Sequence, residues 1–259
     1  MLQIIKSYLN FLWNSKNQHG VHSPFVFNLV TKCFYDKKYY TEYSFLKNYR
    51  NSLLENKSTI TVTDFGSGSK VFKSSTRAVN QIAKNAGISS KRAKLLFRMV
   101  RYFQPENILE IGTSLGLATS AMALANKNAK MITLEGCPQT MAIAKNQCQL
   151  QNITNVEFVN TKFEDYLKTQ NPKPKIQNLI YFDGNHSKEA TLAYFNLLLP
   201  TITNDTVWIF DDIHWSNGMQ EAWLAIKNHP KVSVTIDTFQ WGIVFFRKEQ
   251  QKEHFVIRV

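Results

Sequence analysis

Three aspartates follow two of the predicted strands. Asp183 follows the predicted strand 177–182, and Asp211 and Asp212 follow the predicted strand 206–210. Ligands of open α/β sheets bind at the carboxyl ends of the strands, so the three carboxylates would converge at one edge of the sheet. Carboxylates beside an apolar cleft are costly unless a cation neutralises them. A divalent ion such as Mg²⁺ would do so, and it would lower the pKa of a substrate hydroxyl bound to it.

A glycine turn separates an apolar strand from a helix in residues 107–119, Asn-Ile-Leu-Glu-Ile-Gly-Thr-Ser-Leu-Gly-Leu-Ala-Thr. Gly112 and Gly116 allow the backbone to turn tightly and to approach a ligand closely. Thr113 and Ser114 favour the start of a helix whose first N–H groups face the end of the strand. Such a turn binds nucleotides in alternating α/β folds. Its Gly-x-x-x-Gly spacing, however, differs from the Gly-x-Gly-x-x-Gly pattern of dinucleotide-binding proteins.

Glu110, two residues before the first glycine, would repel a pyrophosphate and suits a cationic ligand. This glutamate and the glycine turn resemble motif I of the class I S-adenosylmethionine (AdoMet) dependent methyltransferases. The resemblance implies that Glu110 and Gly112 lie near the methionine part of AdoMet. It also implies an acidic residue at the end of the next strand that binds the ribose hydroxyls, and Glu135 fills that position 19 residues after Gly116. The implied cofactor-binding residues are Glu110, Gly112, Thr113, Ser114, Gly116, Glu135 and Asp183.

The aspartates resemble those of the metal-dependent O-methyltransferases of the catechol and caffeoyl-CoA type. Asp183-Gly-Asn-His186 is closer still to the Asp-Gly-x-His group, methyltransferase family 24, which includes cephalosporin-biosynthesis and sugar O-methyltransferases. By this resemblance Asp183, Asp211 and Asp212 would be the metal ligands. Catechol-type enzymes have Asp-Asn where this chain has Asp211-Asp212, and a catalytic lysine where it has His186. The alternative for Asp211 and Asp212 is structural, as a cap of the following helix or an anchor of a loop.

His186 and Asp183 are the candidate catalytic residues. His186 is the candidate general base, because the ordinary histidine pKa near 6.5 suits proton transfer at neutral pH. The alternative is a structural hydrogen bond from His186 to the neighbouring strand end. His214 and Trp215, just after the second pair of aspartates, would line the pocket of the methyl acceptor.

From about residue 90 onward, predicted strands alternate with predicted helices, as a doubly wound α/β sheet requires. The predicted strands lie at 107–111, 130–134, 155–159, 177–182 and 206–210. The runs 232–239 and 241–247 are joined by too few residues for a parallel crossover, so they form an antiparallel hairpin. We therefore predict a Rossmann-like α/β fold with a seven-stranded, mostly parallel sheet that ends in an antiparallel C-terminal hairpin. This arrangement also resembles the methyltransferase fold over about residues 90–248.

The predicted domains are a basic, mainly helical N-terminal extension or lid, residues 1–89, and a methyltransferase domain, residues 90–259. Ser23-Pro24 is a favourable helix start. Further helices are predicted at 2–13, 42–57, 76–86 and 90–103. In the first of these, one face carries Leu2, Ile5, Leu9 and Leu12, and Ile4, Tyr8 and Phe11 lie beside it. This amphipathic helix would pack on the domain, on a second copy in a homodimer or on a membrane surface. The loop 64–70, Asp-Phe-Gly-Ser-Gly-Ser-Lys, is predicted to be a mobile segment over the cofactor cleft.

The positive charge of the chain is concentrated in its N-terminal part. Of the formal net charge of +12, residues 1–104 carry +13 and residues 105–259 carry −1. An acidic partner would explain this asymmetry, whether nucleic acid, anionic lipid or a phosphorylated or carboxylate substrate. The alternative is a solvated basic helical surface.

The sequence predicts a cytoplasmic protein without a transmembrane segment. The three cysteines, Cys33, Cys137 and Cys148, form no Cys-x-x-Cys pair, which favours a reducing compartment and argues against a zinc site. No apolar run approaches the roughly 18–20 residues that a membrane span needs. The N-terminal residues lack the charged lead and the small-residue cleavage site of a secretory signal.

The leading hypothesis is an AdoMet-dependent methyltransferase that acts on an oxygen of a small molecule with the help of a divalent metal. The first alternative is an RNA or DNA methyltransferase that uses the basic N-terminal region. Against it, the chain lacks both Asn/Asp-Pro-Pro-Tyr and a cysteine after the fourth strand. The second alternative is a nicotinamide-dependent oxidoreductase, since Glu135 would also bind a ribose diol. The third is a non-catalytic scaffold.

Overall fold

The computed structural model describes residues 2–63, 65, 74–169 and 178–259 of the chain. The architecture is mixed α/β, with a mostly parallel sheet of eight strands and a separate antiparallel pair of short strands. The helices are α1 Leu2–Asn14, α2 Pro24–Leu29, α3 Glu42–Glu55, α4 Val79–Asn85, α5 Ser90–Phe103, α6 Leu117–Ala125, α7 Pro138–Leu150, α8 Phe163–Thr169, α9 Lys188–Leu198 and α10 Asn217–Asn228. The strands are β1 Thr59–Thr61, β2 Thr76–Ala78, β3 Asn107–Ile111, β4 Lys130–Glu135, β5 Val156–Asn160, β6 Leu179–Phe182, β7 Val207–Asp211, β8 Val234–Asp237, β9 Trp241–Phe245 and β10 Glu253–Val256. Within the described ranges, no helix combines the length and the apolar composition needed to cross a bilayer.

The contacts divide the chain into two compact units. One consists of residues 1–35 together with 167–259, and we call it the split unit. The other consists of residues 36–166, and we call it the central unit. This division follows the density of contacts, and its limits differ from the predicted boundary after residue 89, where a methyltransferase domain was predicted to begin. That boundary stays a prediction.

The central unit contains three parallel strands in the order β3-β4-β5. Ile108, Leu109 and Ile111 of β3 are buried. A strand that is covered on both faces has a continuous apolar sequence, and β3 coincides with the predicted strand for this reason. In α5, Leu95, Leu96, Met99 and Val100 are buried, and Phe103 is partly buried.

The split unit contains five strands in the order β10-β8-β9-β7-β6. β6 and β7 are parallel, and β8 and β9 form the predicted antiparallel hairpin. β9 is antiparallel to β7 as well, so β8 runs in the same direction as β6 and β7. The carboxyl ends of these three strands therefore lie at one edge of the sheet, and they carry Phe182, Asp211 and Asp237.

The sheet has eight strands, whereas seven were predicted. The additional strand is β10, which pairs in parallel with β8. Glu253 and His254 are exposed and only the second half of the strand is partly covered. The segment therefore lacks the alternating or continuous apolar pattern by which a strand is predicted from sequence.

Part of the segment 76–86, which was predicted as one helix, is a strand in the structure. The predicted helix 76–86 is helical only in α4, because its first three residues form β2 and pair with β1. The Val62 N–H also donates to the carbonyl of Ser75 at 2.8 Å, which extends this pairing. Backbone pairing with a distant segment thus outweighs the local helical pattern. The predicted mobile loop 64–70 lies outside the described residues, apart from Phe65.

Helix α1 forms as predicted, and it packs through the aromatic residues that lie beside its predicted aliphatic face. Phe11 is buried, and the rings of Phe11 and Tyr8 pack against Phe239 with centroid distances of 5.5 and 4.8 Å. Ile5 and Leu9, which were predicted to share the packing face, are 51% and 61% exposed. Aromatic contacts decide the orientation of this helix, and they depend on a segment more than 200 residues away. Its role in a homodimer stays a prediction.

Candidate functional site

The glycine turn after β3 adopts backbone conformations that favour glycine. Gly112 has φ +106° and Gly116 has φ +78°, and Ser114 between them is also left-handed with φ +48°. The N–H groups of Gly112 and Thr113 donate to the carbonyl of Leu134 in β4 at 3.0 and 3.1 Å. The turn is therefore fixed to the neighbouring strand.

Helix α6 starts later than Thr113 and Ser114 predict. Gly116 occupies the N-cap position, and no side chain caps the helix. The hydroxyl of buried Thr113 is hydrogen-bonded to that of Thr133 at 2.5 Å. Neither predicted residue caps α6. The hydroxyl of Thr113 bonds to Thr133 of β4, and the N–H of Ser114 donates to Glu135 at the end of β4. The helix begins only after the left-handed turn is complete.

Glu135, the last residue of β4, links the glycine turn to the turn that follows β4. Its Oε2 accepts a hydrogen bond from the N–H of Ser114 at 2.7 Å, and its Oε1 accepts one from the N–H of Cys137 at 2.9 Å. Burial raises the pKa of Glu135, although these backbone hydrogen bonds act in the opposite direction. The backbone N–H of Gly136 and the hydroxyl of Thr140 also act on this carboxylate and lower its pKa.

Glu110 lies in the interior of the central unit and has no exposed surface. Its Oε2 accepts hydrogen bonds from the hydroxyls of Thr119 and Thr133 at 2.5 and 2.6 Å. Charge-assisted bonds of this kind offset part of the cost of burying a carboxylate. Through Thr133, Glu110 is connected to the glycine turn. Its contact with the methionine part of AdoMet stays a prediction.

Tyr49 of α3 packs directly against Gly116. A Cβ at position 116 would overlap the hydroxyl oxygen of Tyr49. That hydroxyl donates to the carbonyl of Leu115 at 3.0 Å and lies 3.9 Å from Sγ of Cys148. Glycine is therefore needed at position 116 for two reasons. A Cβ would overlap Tyr49, and the backbone there has a positive φ. Tyr49 was not among the predicted site residues, because no local sequence pattern connects it to the turn.

The thiol of Cys148 allows a test of this buried group. Burial raises the pKa of Cys148 to about 12. The folded chain therefore keeps this proton where an unfolded thiol, with a pKa near 8.5, has lost it. Between about pH 8.5 and pH 12 the free energy of unfolding should fall as pH rises, by up to about 1.4 kcal/mol per pH unit. Urea denaturation measures this slope, which should be smaller for Cys148→Ala; equal slopes would contradict the assignment.

Asp183, in the split unit, follows β6 and begins a strained turn. Asn185 and His186 have φ of +69° and +42°, which residues other than glycine seldom adopt. This backbone places Nε2 of His186 3.4 Å from Oδ1 of Asp183. Left-handed conformations at such residues cluster at functional sites, so the turn is a candidate site on its geometry alone.

Asp183 and His186 shift each other's pKa. Burial and the charge of Asp211 raise the pKa of Asp183 to about 7, against the lowering effect of His186. Burial lowers the pKa of His186, but the hydrogen bond to Asp183 and the charges of all three aspartates outweigh it and raise this pKa to about 9. The negative charges of the aspartates therefore favour the protonated form of the imidazole. The structure brings together the three aspartates and the histidine that were predicted from sequence.

Asp211 is buried, and both of its carboxylate oxygens accept hydrogen bonds. Oδ2 accepts from the hydroxyl of Tyr181 at 2.9 Å, and Oδ1 accepts from the N–H of Asp212 at 2.8 Å. Asp212 is left-handed, with φ +53°. In the part of the chain that the structure describes, no three His, Cys, Asp or Glu side chains are arranged as a metal site. The aspartates thus concentrate negative charge without a formed coordination shell.

Asp237, the last residue of β8, also lies at this edge of the sheet and was not among the predicted site residues. Its Oδ2 lies 2.8 Å from Nε2 of His214, and its Oδ1 accepts a hydrogen bond from the N–H of Phe239. The ring of Phe239 stacks on His214 with a centroid distance of 5.1 Å. Its position could have been inferred from the predicted hairpin, because β8 runs in the same direction as β7 and therefore ends at the same edge. Trp215, predicted with His214 to line the acceptor pocket, is 36% exposed.

Comparison with known families identifies one domain in this chain. Residues 109–213 match the family model described as "Methyltransferase domain". The matched range contains Glu110, the glycine turn, Glu135 and the three aspartates. No curated protein matches the chain in sequence.

Three solved structures show the likeness of fold. The SAH-bound methyltransferase PaMTH1 of Podospora anserina has a TM-score of 0.60 at 14% identity, covering 88% of this chain and 97% of its own. The O-methyltransferase from Bacillus cereus in complex with SAH has 0.56 at 19%, covering 83% and 95%. The O-methyltransferase TomG of Streptomyces achromogenes, involved in tomaymycin synthesis and in complex with SAM, has 0.57 at 16%, covering 84% and 95%. At these identities the likeness is one of fold.

Proposed function

We propose that this chain is a class I AdoMet-dependent methyltransferase that methylates an oxygen of a small molecule, since residues 109–213 match a methyltransferase domain and the fold is similar to that of solved methyltransferases. Glu135 is the observation that carries the cofactor part of this proposal. Its carboxylate joins the glycine turn to the end of β4, and a carboxylate at this strand end suits the hydroxyl donors of a ribose. Two of the similar structures are named O-methyltransferases, which supports oxygen as the acceptor atom.

AdoMet would be held by residues of the central unit. Glu135 would bind the ribose, and the turn that begins at Gly112 would bind the methionine part. Thr113 and Ser114 would position this turn, because their polar groups are already bonded to β4. The negative charge of Glu110 favours a cationic ligand at the turn. Bound AdoMet supplies a methyl group on a positively charged sulfur atom.

His186 would remove the proton from the acceptor hydroxyl. A general base must be unprotonated, whereas the three aspartates keep the pKa of His186 at about 9. The proposed role therefore requires part of that negative charge to be neutralised, because the pKa of His186 then falls towards neutral pH. Asp183 would orient the imidazole, as its present distance of 3.4 Å indicates.

A divalent cation such as Mg²⁺ forms part of this proposal. Asp183, Asp211 and Asp212 would be its ligands, since carboxylate oxygens suit a hard cation. Asp211 already accepts two hydrogen bonds, so the partly exposed Asp183 and Asp212 would contribute the more accessible oxygens. When bound, the cation would lower the pKa of the acceptor hydroxyl.

Calorimetric titration with Mg²⁺ tests the metal part. We expect Asp212→Asn to weaken Mg²⁺ binding by about tenfold or more, because even partners outside the ligand shell alter metal affinity by that factor. Asp205→Asn removes the same charge from a side chain that is 82% exposed, and it should bind as the wild type does. Identical affinities in both variants, or no binding by the wild type, would overturn the metal assignment and leave methyl transfer standing.

Transfer of a radiolabelled methyl group from AdoMet tests the acceptor class. The panel consists of catechols, simple phenols, sugars and a single-stranded RNA, each with Mg²⁺ or with chelator. We expect label in a hydroxyl compound and less of it in the presence of chelator. Label in RNA alone would overturn the proposal in favour of a nucleic-acid methyltransferase.

A further inference from the structure

A cavity of about 640 Å³ lies in the central unit between α3 and α5, with Leu117 and Ser120 of α6 in its wall. Its volume is within the range of about 300–1,000 Å³ that small-molecule sites occupy. The residues that we assign to AdoMet and to the metal do not line it. The cavity is therefore a second candidate site, independent of the methyltransferase chemistry.

The described lining of this cavity is positively charged. Lys47, Arg50 and Lys94 contribute to it, and no Asp or Glu is among the described residues that do so. Residues 36–104 of the same unit contain 14 Lys or Arg and 4 Asp or Glu, so this part of the unit also has a positive formal charge. A concave surface with charges of one sign concentrates counter-ions, so the cavity attracts anions.

Two of the three cationic side chains are held by neighbouring groups. Nη1 of Arg50 donates to the carbonyl of Ile88 at 2.6 Å. Nζ of Lys94 lies 5.0 Å from the centre of the Tyr43 ring. A held guanidinium loses less conformational freedom on binding, and its other N–H groups suit the oxygens of a phosphate.

Aromatic surface lies beside these charges. Tyr39 lines the cavity, is 74% exposed, and stands at 87° to the ring of Tyr43 with a centroid distance of 6.1 Å. Exposed aromatic rings stack nucleobases without regard to sequence. We propose that the cavity binds a nucleotide, with its phosphate on Lys47, Arg50 and Lys94 and its base against Tyr39. A free nucleotide and a nucleotide within an RNA strand present the same chemistry.

Calorimetric titration of the full chain with ADP, inorganic phosphate and a single-stranded RNA oligonucleotide tests this proposal. The cavity variant Lys47→Gln/Lys94→Gln is compared with Lys84→Gln/Lys145→Gln, which removes two exposed lysines of α4 and α7 outside the cavity. We expect the Kd for ADP to rise about tenfold or more in the cavity variant and to stay unchanged in the control. Tyr39→Ala should weaken the binding of ADP but not that of phosphate.

ADP also carries a ribose, so the titration is repeated with Glu135→Ala. Binding that survives this substitution and is weakened in the cavity variant supports the proposal. Loss of binding in Glu135→Ala, equal weakening in both lysine pairs, or no binding by the wild type would overturn it. Tighter binding of RNA than of ADP, weakened by the cavity variant alone, would identify a strand as the source of the nucleotide. None of these outcomes depends on methyl transfer.

Discussion

The Glu135→Ala variant is expected to bind AdoMet about 100-fold more weakly than the wild type, or worse. Each hydrogen bond to a charged group contributes about 1.5–3 kcal/mol, and the substitution removes the proposed bonds to both ribose hydroxyls. It also releases the N–H groups of Ser114 and Cys137, so the glycine turn loses its link to β4. Calorimetric titration with AdoMet measures the change.

Two further variants separate the proposed ribose contact from a general loss of charge. Glu157→Ala removes an exposed carboxylate from the neighbouring strand β5 and should leave the affinity for AdoMet unchanged. Glu135→Gln keeps one acceptor oxygen and should have an intermediate affinity, because its amide cannot accept from both backbone N–H groups. Wild-type affinity in a folded Glu135→Ala protein would show that the cofactor does not bind here.

Gly116→Ala is expected to lower the free energy of unfolding by about 2–5 kcal/mol. One part of this loss is the left-handed backbone, since φ is +78° at this position. The other part is the overlap of the new Cβ with the hydroxyl oxygen of Tyr49. Urea denaturation, followed by circular dichroism, measures the loss.

A double-mutant cycle with Tyr49→Phe separates these two parts. Tyr49→Phe alone should be destabilising by about 1–3 kcal/mol, because it leaves the buried carbonyl of Leu115 without its donor. Combined with Gly116→Ala, it removes the atom that the Cβ overlaps, so the double variant should lose less stability than the sum of the single losses. Gly218→Ala in α10, where the nearest atom to a new Cβ is 3.4 Å away, is the control and should have little effect. Additive losses would show that the hydroxyl of Tyr49 moves away from the new Cβ without lowering the free energy of unfolding.

The features that could be predicted from sequence are those that neighbouring residues determine. The apolar run of β3 fixes its limits, and the short link between residues 237 and 241 allows only an antiparallel hairpin. Candidate site residues such as Glu135 and Asp183 follow from their positions at strand ends. Their roles in binding and catalysis stay predictions, because a strand end fixes where a side chain lies but not what it binds.

The features that could not be predicted depend on segments that are distant in sequence. Tyr49 fills the space beside Gly116, and Phe239 decides which face of α1 is buried. The pKa of His186 is raised by aspartates at the ends of two different strands, β6 and β7, which come together only in the folded chain. β10 pairs although its own sequence has little strand character.

The split unit is closed by contacts between its first and last residues. The N–H of Lys16 donates to the carbonyl of Val256 at 2.8 Å, and the hydroxyl of Tyr35 donates to the carbonyl of Arg258 across 223 residues. During synthesis, these N-terminal residues leave the ribosome long before their partners. The central unit is continuous in sequence and can complete its contacts earlier. The glycine turn should therefore fold first, and α1 should dock last, after a slow long-range closure.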